Sequence, residues 1–64
     1  MTIKEKSLIE LLEEAHQTMT DRAVGVVFDV TGHTIYRWRH GRTAIPRAKT
    51  VRLVLEHILS RPKN

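Results

Sequence analysis

Residues 20–42 read TDRAVGVVFDVTGHTIYRWRHGR, and their spacing predicts two short helices broken by a tight turn. Apolar residues fall at Val24, Val27, Phe28, Val30, Ile35 and Trp38, with the small Gly25 inside the first helix. That spacing lets the two helices cross closely around Gly25 and share one core. Thr20 and Thr31 suit N-caps, because a hydroxyl there accepts a free N–H of the first turn. Gly41 suits the left-handed conformation that ends a helix, so the second helix spans Gly32 to His40. On that helix His33, Tyr36, Arg37 and His40 fall opposite Ile35 and Trp38. A short helix that is apolar inside and basic and hydrogen-bonding outside fits the major groove of DNA.

Working outward, a first helix is expected from Ile3 to Thr18, with Thr2 and Glu5 as a capping box. Leu8, Leu12, Ala15 and Met19 form its inner stripe, Ile9 and Leu11 broaden it, and Glu10, Glu13 and Glu14 face solvent. A last helix is expected from Pro46 to Leu59, with Pro46 in its first turn and Val51, Val54, Leu55 and Ile58 on one face. Leu53 and Leu59 lie off that face. They belong either to a wide buried surface or to a dimer surface shared with Ile9 or Leu11. Arg61–Asn64 reads as a frayed tail, and Val26-Val27-Phe28 is the sole strand-like run. The fold expected is all-α, a compact four-helix domain over residues 1–64.

Sixty-four residues make one domain near the lower limit for an independent core. With no cysteine, neither a disulfide nor a thiolate metal site can staple it, which fits a reducing compartment. No apolar run approaches the ~20 residues of a membrane span, and the charged start MTIKEKSLIE does not read as a signal peptide. A cytoplasmic, nucleoid-associated bacterial protein is the expectation. The net charge of +4 is unevenly spread. Residues 1–30 carry three Lys or Arg against six Asp or Glu, whereas residues 31–64 carry eight against one. The positive half begins at the second helix of the quoted stretch and attracts phosphate.

Enzymatic chemistry finds little support. His16, His33, His40 and His57 are dispersed, Ser7 and Ser60 sit in no nucleophile elbow, and the three glycines form no phosphate loop. No catalytic residue, cofactor, metal or small-molecule ligand is expected. Basic and apolar faces do not share one long helix, which argues against a membrane-active peptide.

The quoted stretch resembles the helix-turn-helix of the Cro-like, or XRE-like, phage-repressor family. Val24-Gly25, Asp29-Val30, Ile35, Trp38 and Gly41 carry the likeness, as does Arg42 to Pro46 ahead of another helix. The resemblance covers Thr20 to Pro46. It departs from the usual pattern at Gly25, where Ala is commonest, and at Asp29, where a turn glycine is preferred. It implies a lambda-repressor-like fold and a sequence-specific DNA-binding regulator, acting as a homodimer on an inverted-repeat operator. Repression by promoter occlusion, often of its own gene, and a phage or mobile-element origin follow from the same likeness. Size and plan are similar to those of small repressors of anti-CRISPR operons.

For base contacts the candidates are His33, Thr34, Tyr36, Arg37 and His40. Arg37 leads, since a guanidinium can bond both O6 and N7 of guanine. Phosphate contacts are expected from Thr20, Arg22, Thr31, Arg39, Arg42, Arg47 and Lys49, and from the exposed N–H groups at Thr20 and Asp21. Arg52 and Arg61 read as ordinary surface charge, and Trp38 reads as core rather than as an intercalating wedge. The alternative is a protein-interaction module, such as an antitoxin or an adaptor, that uses a helix-turn-helix without reading DNA.

Overall fold

Among the described residues the chain changes direction three times, and each change is written in a cap or a turn. The computed structural model describes residues 6–60. Four helices follow in order: α1 (Leu8–His16), α2 (Asp21–Phe28), α3 (Gly32–Arg39) and α4 (Ala48–Ser60). Among the described residues there is no strand, and Val26-Val27-Phe28 is the last turn of α2.

α1 starts later than its periodicity suggests. Ser7 is extended (φ −71°, ψ 163°) and caps the helix, so the expected run from Ile3 is not continuous. Ser7 Oγ accepts the Glu10 N–H at 3.2 Å, and Glu10 Oε1 accepts the Ser7 N–H at 2.8 Å. Both members of this box satisfy a free donor, which fixes the first turn here. The Thr2–Glu5 box lies outside the described residues. The helix ends at His16, short of Thr18, where the Met19 N–H folds back onto the Ala15 carbonyl at 2.8 Å.

Thr20 and Thr31 cap α2 and α3, accepting the Ala23 and Thr34 N–H groups at 3.1 and 3.2 Å. Between them Asp29 takes the left-handed conformation, φ 59° and ψ 42°. Asp tolerates that region better than most residues. The reversal returns the Val30 N–H to the Gly25 carbonyl at 2.9 Å. Both glycines of this pair are places of close approach. A Cβ on Gly25 would lie 2.5 Å from the Val30 carbonyl oxygen, and one on Gly32 would lie 3.0 Å from the Arg22 nitrogen. The close contact expected at Gly25 alone therefore has a second point, on α3.

α4 begins at Ala48 rather than Pro46. Arg47 has φ 51°, which a right-handed helix cannot include, so Pro46 and Arg47 form the turn before it. The first helical bond there runs from the Val51 N–H to the Arg47 carbonyl at 3.0 Å.

All four helices supply the core: Leu11, Leu12 and Ala15, then Val24, then Ile35 and Trp38, then Val51 and Leu55. Leu8, Met19, Phe28, Val30, Ile45 and Leu59 pack around it, and the Phe28 and Trp38 rings meet edge-on at 6.0 Å. Trp38 is core, as its spacing predicts. Two expectations fail. Val27 is half exposed, because it borders the open space between α2 and α4, and Ile9 is exposed while its neighbour Leu11 is buried. α2 packs chiefly on α3, and α4 on α1.

Candidate nucleic-acid interface

α3 is fixed by its inner residues and leaves its outer ones free. Ile35 and Trp38 are buried, while His33, Tyr36, Arg37 and His40 are all exposed on the opposite side. The spacing of i, i+3 and i+4 brings three of those four together. The His33 and Tyr36 rings lie nearly parallel with centroids 6.2 Å apart, and Tyr36 and His40 stand 4.1 Å apart at 41°. An aromatic column therefore runs the length of the helix. The sequence spacing carries that signal, yet it reads more easily as four separate contacts than as one stack. Arg37 stands beside the column, and no described carboxylate pairs with it. Its five donors remain open to an incoming acceptor.

Thr34 does not share this face. It is half-buried on the flank, with its hydroxyl 3.0 Å from that of Thr31. Thr20 and Thr31 are exposed at the starts of α2 and α3, where their oxygens already serve as caps.

Arg39 is the correction among the expected phosphate contacts. Its side chain is only 10% exposed and turns inward. Nε and Nη2 donate to the two carboxylate oxygens of Asp21 at 3.3 and 3.0 Å, and Nη1 donates to Glu13 at 3.1 Å. Asp21 also faces His16 Nδ1 at 3.3 Å. The bonded carboxylate of Asp21, with that of Glu13, holds the guanidinium above its ordinary pKa, so it stays charged. With three of its five N–H donors on two carboxylates and its side chain 10% exposed, this guanidinium is neutralised and turned away from any phosphate. Arg39 ties α3 to α2 and α1 instead. Local periodicity puts it at the edge of the outer face, and nothing local signals a partner eighteen residues away.

The remaining cations are exposed. Arg22 lies in the first turn of α2, Arg42 in the connector after α3, and Lys49 in the first turn of α4. Arg47 sits beside a groove between α2 and α4, together with Asp29. Arg52, expected as ordinary surface charge, donates to the Lys6 carbonyl at 2.6 Å and lies 3.8 Å from Glu56. Among the described residues no three His, Asp or Glu side chains are placed to hold a metal ion, and no helix is long and apolar enough to cross a membrane. Compared with known proteins, the chain matches no family model, no curated protein and no solved structure.

Proposed function

We propose that this protein is a sequence-specific DNA-binding regulator in which α2 and α3 form a helix-turn-helix and α3 enters the major groove. The observation that carries this reading is the outer face of α3, with His33, Tyr36, Arg37 and His40 exposed and Arg37 without a carboxylate partner among the described residues. Arg37 reads guanine through its paired donors. His33 and His40 offer ring N–H donors, and Tyr36 presents an aromatic edge to a thymine methyl. Arg22, Arg42 and Lys49 hold phosphates. Lys49 adds positive charge to the positive end of the α4 dipole, and a phosphate there relieves that repulsion.

Eight residues at ~1.5 Å each give α3 a length of ~12 Å, which covers only ~3–4 base pairs. One chain therefore reads too little sequence to find an operator. The reading that follows is a homodimer on an inverted repeat with half-sites ~34 Å apart, and repression by occluding a promoter. The resemblance to Cro-like repressors supports the same reading. The test is selection of bound duplexes from a random pool by the full chain. Enrichment of an inverted repeat supports the proposal. No enrichment, with capture of a protein partner instead, supports the antitoxin or adaptor alternative.

A further inference from the structure

Because α4 leans on α1 while α2 leans on α3, a groove of about 420 Å³ opens between α2 and the first half of α4. Val27, Phe28, Val30, Trp38 and Val54 make it apolar. Its rim carries one charge of each sign, Asp29 at the end of α2 and Arg47 just ahead of α4. These are the two non-glycine residues with positive φ among those described, at 59° and 51°. Neither is ion-paired with a described residue. Val27 inside the groove is 46% exposed, and Leu53, one turn along α4 from the lining residue Thr50, is 66% exposed.

We propose that this groove is the seam on which a second copy of the chain docks. Asp29 of each copy meets Arg47 of the other, and Leu53 enters the apolar floor. The proposal rests on the homodimer reading above and names its surface. A two-fold axis lays one patch on itself, so that residue i meets j and j meets i. A patch with an apolar centre and one acid and one base at its rim is complementary to itself under that operation, and both rim charges are paired twice. A partner of single charge would leave one of them unpaired. The division into apolar centre and polar rim is that of stable protein interfaces. None of His33, Tyr36, Arg37 or His40 lines the groove, so docking leaves the outer face of α3 open. Arg47 then serves the seam instead of a phosphate.

Sedimentation equilibrium of the full chain tests this, with circular dichroism to show that each variant is folded. Arg47→Glu and Asp29→Lys each place like charges across both rims, and each is expected to weaken self-association by about tenfold or more. Mixed in equal amounts, the two variants restore wild-type association, because every rim contact again joins opposite charges. Leu53→Lys, at an exposed helical position that tolerates lysine, is expected to dissociate the dimer even if Asp29→Lys does not fold. A wild-type dimer unaffected by Arg47→Glu and Leu53→Lys overturns the seam and leaves the homodimer reading standing. A wild type that is monomeric both free and on DNA overturns both. Two folded variants that fail to associate when mixed overturn the rim pairing.

Discussion

Arg39 near the end of α3 forks onto Asp21 at the start of α2, with both carboxylate oxygens bonded at 3.3 and 3.0 Å. The same guanidinium reaches Glu13 of α1, so one side chain sets α3 against two other helices. This clasp and the burial of Ile35 and Trp38 together orient the outer face of α3. Arg39→Ala should lower unfolding free energy by ~1–3 kcal/mol, because it takes both guanidinium donors from the partly buried Asp21 carboxylate. Arg39→Lys should recover little of that, since an ammonium cannot match the fork. Urea denaturation measures both, and a loss no larger than that of exposed Arg42→Ala would show that the clasp is idle.

Gly25 and Gly32 set how closely α2 and α3 approach, and they should respond differently to one added methyl. In Gly25→Ala the new Cβ meets a backbone oxygen at 2.5 Å, so the turn itself must move. Overpacking of that kind costs ~1–3 kcal/mol. Gly32→Ala meets backbone at 3.0 Å and should cost less. Thermal unfolding of the two variants side by side checks the order.

Thr31 separates stability from binding. Its side chain caps α3 through the Thr34 N–H, and Thr31→Ala should cost ~1 kcal/mol. Thr31→Asp keeps a capping oxygen and adds favourable charge at the helix N-terminus, so the fold should stay as stable as wild type. The same carboxylate faces phosphate in the proposed complex, and DNA affinity should fall. Equal DNA binding by the wild type and the Asp variant would take the start of α3 away from the backbone of the duplex.

Arg37→Ala and Arg42→Ala should differ in kind. The first should lose ~1–3 kcal/mol on the preferred duplex and almost nothing on random sequence. The second should weaken both alike and flatten the salt dependence by about one unit. Competition titrations over a salt series distinguish them, and equal losses on both duplexes for Arg37→Ala would remove its base-reading role.

Local chemistry made much of this molecule legible in advance. Thr20 and Thr31 announce two helix starts, Asp29 tolerates the turn its place demands, and Val24, Ile35 and Trp38 mark the inner sides of α2 and α3. The start of α1 was less legible because two matching boxes, Thr2–Glu5 and Ser7–Glu10, stand five residues apart and local pattern does not rank them. The start of α4 was misread because Pro46 fits a first helical turn and nothing in an arginine signals positive φ at residue 47. Arg39 and the α2–α4 groove depend on how whole helices lean on one another. Periodicity along one helix carries no record of that.

Fluorescence anisotropy of the full chain on two labelled duplexes, across a salt series, decides whether α3 reads DNA sequence. One is the segment upstream of its own gene and the other a scrambled copy. A helix α3 that reads bases gives tight binding that favours the native segment at moderate salt, with two chains per site and with the preference lost in Arg37→Ala. Weak binding that is equal on both duplexes and vanishes with salt would contradict it, and would return the basic face of α3 to a protein partner.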